Sequence, residues 1–291
     1  MNGRMPVEFT IAPRARAAIK GQWSVALPMG FLTGILYTAL QIVMTLLMNP
    51  SLERVAVLME QGYPPEYVLQ WLADNVGSSL IPVGLLALLS AVMTPSLSMG
   101  MHAYALKLLR GEEGAMKDLL SRMNIFFKAL GLSVMVGLRC FLWMFLGIGA
   151  YALILAAGTL MGAGGAVLGI APMLAILAMI PGFMAIFRYM LSEYAMADDP
   201  HCGINEAIRI SKRLTHKRKL RLMSLLVGWA LLSNLGGSLM QMLLGPILGM
   251  ALGMLISLAC SVYIEMLKAS YYLTYRERER EPFQTDGEEL T

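Results

Sequence analysis

Apolar residues form six long runs along this chain, and charged residues are largely confined to the segments between them. Each run is long enough for a helix of roughly 20 residues, which is the length needed to cross the hydrocarbon core of a bilayer. The pattern therefore predicts an all-α polytopic membrane protein with six transmembrane helices. The predicted spans are residues 23–48, 80–109, 131–157, 166–190, 220–243 and 247–273.

The segment 111–128 carries the clearest amphipathic pattern between the runs. Its apolar residues recur at spacings of three and four and lie opposite charged residues, as on an amphipathic helix. We expect this helix to lie on the inner membrane surface, and docking to a partner protein is the alternative. The apolar face consists of Met116, Leu119, Leu120, Met123 and Phe127.

Three other connecting segments have weaker helical patterns. Residues 205–215 predict a second amphipathic helix on the cytoplasmic side. Residues 1–20, with Pro13 suited to a first helical turn, predict a short interfacial helix before the first span. The longer segment 49–79 predicts two short helices on the outer membrane surface, separated by a break at residues 63–65.

Prolines occur in the interior of two predicted spans. Pro95 lies in the second span, and Pro172 and Pro181 lie in the fourth. Because proline cannot donate the helical hydrogen bond and its ring crowds the preceding turn, these positions predict kinks or weak points. Transporters use broken helices of this kind as mobile elements around a central site.

Composition supports integration into a membrane. The chain is 57% hydrophobic and only 14% charged, whereas soluble domains contain about 25% charged residues. Six spans account for most of the chain and leave no sizeable extra-membrane domain. The predicted division is a basic cytoplasmic interfacial segment at 1–22, a membrane domain at 23–275 and a charged cytoplasmic tail at 276–291. The cysteine pattern predicts no disulfide.

The distribution of basic residues predicts the orientation. Of the 23 Lys and Arg residues, twenty lie in segments on one side of the predicted topology, and only Arg54 lies in a segment on the other. Basic loops remain cytoplasmic, so both termini are expected in the cytoplasm. The densest cationic cluster contains Arg209, Lys212, Arg213, Lys217, Arg218, Lys219 and Arg221.

A weak internal repeat accompanies the six runs. Three times the sequence passes from a basic segment into a hairpin of two spans, and tyrosines recur where each hairpin ends. These tyrosines are Tyr104, Tyr194 and the pair Tyr271-Tyr272. Three repeated helical hairpins are one interpretation. Chance similarity between apolar segments is the other.

Three stretches of the chain resemble a known family. They are ARAAIKGQWSVAL near the N-terminus, TPSLSMGMHAYALKLLRGEE after the second span and EYAMADDPHCGINEAIRISKRL after the fourth. They resemble the bacterial integral membrane proteins of domain of unknown function 975, a family similar in turn to the membrane domains attached to some glycerophosphodiester phosphodiesterases. The resemblance extends from Arg14 to Tyr275 and departs from the pattern at residues 216–219. It implies the fold and a bacterial cytoplasmic membrane location, and it supplies no catalytic residues.

Sequence motifs for catalysis are missing. There is no H-E-x-x-H pair for zinc and no Gly-rich phosphate loop, and the three histidines lie in different segments. Ser238 has no histidine at a matching depth, and His201-Cys202 has no further ligand nearby in sequence. We therefore expect no enzyme activity, no cofactor, no metal and no nucleic-acid partner.

Charged residues inside the spans are the strongest candidates for a functional site. Arg139, Arg188 and Glu265 lie within predicted spans, and Glu193 lies close to the end of the fourth. Because charge within a bilayer is costly, such residues are expected to find partners. The four residues predict either structural ion pairs or the floor of a cytoplasm-facing cavity for an anion such as a lipid phosphate.

These observations favour a non-catalytic scaffold or envelope-associated accessory factor. A transporter or lipid-handling protein with a cytoplasm-facing anion site is the alternative, and an intramembrane enzyme is opposed by the missing motifs. Anionic membrane lipid is the expected partner, and a membrane-protein partner or a homo-oligomer is left open. The expected lipid contacts are Lys212, Arg213, Lys217, Arg218, Lys219 and Arg221.

Overall fold

The regular structure is entirely helical in a computed structural model that describes residues 8–160, 164–216 and 219–288. Two short 3-10 turns, Met116–Leu120 and Met123–Ile125, precede the fourth helix. The helices before the last hairpin are α1 (Glu8–Ile19), α2 (Trp23–Glu60), α3 (Pro65–Leu109), α4 (Phe126–Leu160), α5 (Gly164–Tyr189), α6 (Ser192–Asp198) and α7 (Ile204–Leu214).

The last hairpin occupies Lys219–Glu288 and turns at Gly245. The backbone there is not helical, with φ 78° and ψ 177°. Since a positive φ strains residues that carry a Cβ atom, glycine suits this turn. It separates α8 (219–244) from α9 (246–288), and it confirms the turn predicted between the last two spans.

Five helices in the described parts of the chain are long and apolar enough to cross a membrane. A shorter apolar stretch, Trp23–Ile35, lies in α2. These helices confirm the all-α polytopic class. The candidate spans are Ile81–Leu109, Met116–Gly158, Ile176–Asp198, Leu222–Gly245 and Ala251–Glu279.

The spanning helices pair as three hairpins, α2 with α3, α4 with α5 and α8 with α9. Small residues bring the paired backbones together. A Cβ atom on Gly147 of α4 would lie 1.8 Å from the carbonyl oxygen of Ala178 in α5. A Cβ atom on Gly253 of α9 would lie 3.2 Å from the Cα atom of Gly237 in α8. Such close approach is a common way of packing helices in lipid.

Buried side chains concentrate at one end of the bundle, which we call the basic end because Arg110, Lys212 and Arg276 lie there. It comprises α1, α6, α7 and the adjoining ends of α3, α5 and α9. Tyr104, Tyr194 and Tyr272 are among its largest fully buried side chains. Farther along the spans many large apolar side chains are exposed, as expected of surfaces that face lipid.

The segment before each hairpin packs against the end of another hairpin. Helix α1 lies on α9, where Ser270 Oγ donates to the Ile11 carbonyl at 3.0 Å. The turn 116–120 lies on α3, where Lys107 Nζ donates to Asp118 Oδ1 at 2.6 Å. Helix α7 lies on the end of α5, where Ser211 Oγ donates to the Arg188 carbonyl at 2.8 Å. The three hairpins are thus joined in a closed ring, and their common origin by duplication stays a prediction.

The predicted amphipathic α-helix at 111–128 is wrong. Asp118 holds the segment in a 3-10 turn, because its Oδ2 accepts from the Ala115 amide at 2.9 Å while its Oδ1 accepts from Lys107. Leu119 is buried against α3, whereas Met116, Leu120 and Met123 are exposed. The predicted apolar face is therefore divided between the protein core and the surface.

The two separate helices predicted within 49–79 are also wrong. Helix α2 continues to Glu60 and α3 begins at Pro65, so this helical sequence extends the spans. The predicted break is confirmed at residues 61–64, where Gly62 has φ 76°. Helix α3 continues through Pro95 and α5 through Pro181.

Helices α1 and α7 confirm the two other predictions for connecting segments. In α7, Ala207, Ile208 and Leu214 are buried, and Arg209 is exposed. In α1, Ile11 and Ala15 are buried. Both helices therefore contribute to the protein core at the basic end.

Candidate functional site

Polar side chains from the ends of all three hairpins meet inside the basic end. We call His102, Glu193, Tyr194, Glu265 and Lys268 the junction site. His102 Nε2 lies 3.2 Å from Glu265 Oε2, and His102 Nδ1 lies 3.6 Å from Glu193 Oε2. The imidazole thus lies between carboxylates of α6 and α9.

The Glu265 carboxylate is the hub of these contacts. Lys268 donates to its Oε1 at 2.5 Å, and the Tyr194 hydroxyl donates to its Oε2. The same hydroxyl lies 3.1 Å from the Glu265 carbonyl oxygen. A carboxylate within a span is costly unless it is paired and hydrogen-bonded, so these donors make its position tolerable.

Local structure explains why these side chains converge. Helix α5 ends at Tyr189, and α6 begins at Ser192, whose hydroxyl donates to the Tyr189 carbonyl at 2.5 Å. This short turn redirects the chain and carries Glu193 and Tyr194 towards α3 and α9. The ring of Tyr194 then lies 4.3 Å from that of His102, measured between ring centroids.

A second set of polar contacts lies beside the junction site and joins the same three helices. Asp198 of α6 pairs with Arg110 at the end of α3. Its Oδ2 also accepts a hydrogen bond from the Tyr272 hydroxyl of α9 at 3.1 Å. Tyr272 stacks on Tyr194 with ring centroids 6.3 Å apart. The ends of the hairpins are therefore tied together by two polar layers.

A cavity of about 280 Å³ opens beside Glu265. We call it the junction cavity. Helices α2, α3 and α9 surround it, and its polar lining is supplied by Thr33, Ser98, His102, Ser261 and Glu265.

Three cations form a separate group on α4, α5 and α7. We call Arg139, Arg188 and Lys212 the cation trio. Burial lowers the pKa of the Lys212 amine, and the charges of Arg188 and Arg139 lower that pKa further. Arg139 Nη2 donates to the neutral amide oxygen of Asn205 at 3.2 Å. Among the described residues, no carboxylate forms an ion pair with any member of the trio.

An apolar cavity adjoins the cation trio. It has a volume of about 250 Å³ and lies between α4 and α5, with Arg188 in its lining. Lys212 Nζ lies 5.6 Å from the centroid of the Tyr189 ring. The other residues that line the cavity are Trp143, Ile180, Pro181, Met184 and Ala185. Cationic groups and an apolar recess are therefore adjacent.

The four charged residues predicted as one cluster fall into two groups. Glu193 and Glu265 meet at His102, whereas Arg139 and Arg188 belong to the cation trio. Within the described residues, Glu265 pairs with Lys268 rather than Arg139. Whether either group binds a ligand stays a prediction.

The predicted lipid contacts have different surroundings. Lys212 belongs to the cation trio, while Arg213 Nε pairs with Glu279 Oε1 at 2.9 Å. Lys217 and Arg218 lie outside the described residues. Lys219 and Arg221 lie in the first turn of α8.

Sequence reasoning did not identify His102, Tyr194 or Lys268 as site residues. The repeated tyrosine where each hairpin ends was the available signal, because it marks Tyr194 and places His102 two residues before Tyr104. Lys268 lies three residues after Glu265, a spacing at which helical side chains can pair. For the residues that the structure describes, no group of three or more His, Cys, Asp or Glu could hold a metal ion.

The helical hairpins and their buried charges define a polytopic all-α membrane protein. The chain belongs to the family described as "Protein of unknown function (DUF975)", and the match covers residues 9–279. This confirms the resemblance found in the sequence. No curated protein and no solved structure matches the chain.

Proposed function

We propose that this protein is a non-catalytic scaffold of the bacterial cytoplasmic membrane that binds anionic lipid at its basic end. In this proposal both termini and the basic end face the cytoplasm, in keeping with the bias of Lys and Arg towards one side. The observation that carries the proposal is the cation trio beside an apolar cavity. A lipid phosphate would contact the cations, and an acyl chain would enter the cavity.

The electrostatics of the trio favour an anionic ligand. Arg139, Arg188 and Lys212 repel one another, and the described carboxylates do not pair with them. An anion between them would relieve this repulsion and form charge-assisted hydrogen bonds. Arginine suits this role because its planar guanidinium group can bind two phosphate oxygens at once.

The scaffold role is supported by how the polar groups at the junction site are used. Tyr194 and Lys268 both donate to Glu265, and Arg110 pairs with Asp198. These contacts tie α6 to α9 and to α3. A lipid-handling role is the second candidate, because the apolar cavity beside Arg188 could take up part of a lipid chain.

Thermal unfolding in detergent with added lipid tests the proposal. Phosphatidylglycerol should raise the unfolding midpoint of the wild-type protein more than phosphatidylcholine does. The double variant Arg139→Gln/Arg188→Gln should lose most of this difference, since a basic residue near the membrane surface contributes about 1 kcal/mol each to binding anionic lipid. Inorganic phosphate, tested in parallel, distinguishes a lipid from a free anion.

A matched control separates the trio from general surface charge. Arg209→Gln/Arg278→Gln also removes two cations, both from exposed positions, and should keep the wild-type response to phosphatidylglycerol. Equal loss in the two double variants would contradict a lipid site at the trio. A response to inorganic phosphate as large as that to lipid would assign the trio to a free anion.

A further inference from the structure

The junction cavity is separate from the cation trio and has the opposite chemical character. Its lining includes the Glu265 carboxylate and the hydroxyls of Thr33, Ser98 and Ser261. These groups come from three different helices. A lining drawn from α2, α3 and α9 is held in place by the packing at the basic end.

The hydroxyl groups face the cavity as hydrogen-bond acceptors. Thr33 donates its hydrogen to the Gly30 carbonyl at 2.9 Å, Ser98 donates to Thr94 at 2.6 Å, and Ser261 donates to Leu258 at 2.8 Å. A hydroxyl has a single hydrogen and two lone pairs. With each hydrogen used within its own helix, the oxygen atoms have lone pairs left to accept.

Charge at the junction site also favours a positive ligand. Glu193 and Glu265 carry two negative charges, and Lys268 supplies one positive charge. With a neutral imidazole at His102, the group has a net charge of about −1. Glu265 Oε1 accepts from Lys268 alone among the described residues, and a carboxylate oxygen can accept a further hydrogen bond.

The state of His102 agrees with a site that lacks a positive charge. Its side chain is 3% exposed, and its Nδ1 has no hydrogen-bond partner among the described residues. Buried polar atoms normally have a partner in the protein or in ordered solvent. The imidazole lines the cavity, so a ligand there would lie next to this incompletely bonded ring.

We propose that the junction cavity binds a small monovalent cation, and that a primary ammonium group fits it best. The carboxylate would balance the positive charge, and the hydroxyl oxygens would accept the ammonium hydrogens. The volume of about 280 Å³ exceeds that of a single water several times. It therefore suits an organic ammonium ion or a hydrated alkali ion better than a bare ion.

The test uses the full-length protein in detergent at constant ionic strength. Methylammonium, sodium or potassium chloride replaces N-methylglucamine chloride, whose cation is bulkier, and tryptophan fluorescence follows thermal unfolding. The unfolding midpoint of the wild-type protein should rise with methylammonium concentration in a saturable manner. Equal midpoints in all four salts would overturn the proposal.

Variants locate the effect within the cavity. Thr33→Val/Ser261→Ala removes two acceptor oxygens and leaves the contacts of Glu265 intact, so it should weaken the apparent cation affinity by about tenfold or more. Ser238→Ala is the matched control, because Ser238 is exposed and makes the same kind of backbone hydrogen bond in α8. A wild-type response in the Thr33→Val/Ser261→Ala variant would also overturn the proposal.

Two further arms complete the design. Glu265→Gln removes the carboxylate charge and should abolish the response if the protein still folds, and the hydroxyl variants decide the question if it does not. A response to sodium or potassium alone would keep the cation site and assign it to an alkali ion. Arg139→Gln/Arg188→Gln should respond to cations as the wild type does, which separates this site from the proposed lipid site.

Discussion

Tyr194 shows how much one side chain contributes to the basic end. It is fully buried, its hydroxyl donates to Glu265, and its ring contacts His102. One residue of α6 therefore reaches both α3 and α9. Burial alone would be satisfied by phenylalanine, so the hydroxyl is the group that distinguishes tyrosine here.

Replacing Tyr194 with phenylalanine should destabilise the folded protein. The change leaves the ring in place but removes one donor to a buried carboxylate, and hydrogen bonds to charged groups contribute about 1.5–3 kcal/mol. The free energy of unfolding in mild detergent should fall by an amount of this order. Tyr63→Phe is the control, because Tyr63 is exposed and stacks on Tyr67; equal stability of the two variants would contradict the role of the Tyr194 hydroxyl.

The partners of individual charges could be predicted only in part. The apolar sequence around Glu265 indicated that this carboxylate needs a partner, but its contact with His102 depends on how α3 packs against α9. Arg139 lies 66 residues from Asn205, its hydrogen-bond partner. No local pattern encodes such a distance, whereas the cost of a charge in an apolar span is a local property.

The turn 116–120 shows how packing overrides a periodic pattern. A Cβ atom on Gly100 of α3 would lie 1.8 Å from the carbonyl oxygen of Leu119. The backbone of the turn therefore rests directly on α3, which is possible because residue 100 has no side chain. Lys107 and Asp118 complete the contact at 2.6 Å.

Gly100→Ala should displace this turn and lower stability. Overpacking of this kind typically costs 1–3 kcal/mol, and here the clash is with backbone, which adjusts poorly. Gly84→Ala in the same helix meets no atom within 4 Å and should be neutral or stabilising, because alanine favours helix by about 1 kcal/mol over glycine. Thermal unfolding of both variants tests the prediction, and similar midpoints would refute it.

At the scale of elements, the long helices were predictable and the short connections were not. Spans 80–109 and 131–157 follow from hydrophobicity over about 20 residues, which depends little on tertiary contacts. The segment 111–128 has helical periodicity, yet Asp118 binds the Ala115 amide and Lys107 instead. Such a choice depends on a neighbouring helix and is absent from the local pattern.

The orientation of the whole molecule is open to a labelling test. In a variant without the three native cysteines, Gln61→Cys and Glu112→Cys place single thiols in exposed turns at opposite ends of α3. An impermeant thiol reagent should label Gln61→Cys on intact cells and Glu112→Cys only after permeabilisation, because the basic end is expected in the cytoplasm. The reverse pattern would show that the proposed orientation is inverted.

The contact between α1 and α9 determines when during synthesis the protein can finish folding. Ile11 accepts a hydrogen bond from Ser270, 259 residues later, and Arg14 Nη2 pairs with Glu277 Oε1 at 2.9 Å. The first helix must therefore wait for the last one to be made. Contacts of such long sequence separation form late, because closing the intervening chain costs entropy first. A ribosome that stops before α9 leaves the apolar face of α1 uncovered, so incomplete chains differ from finished ones at their very first helix.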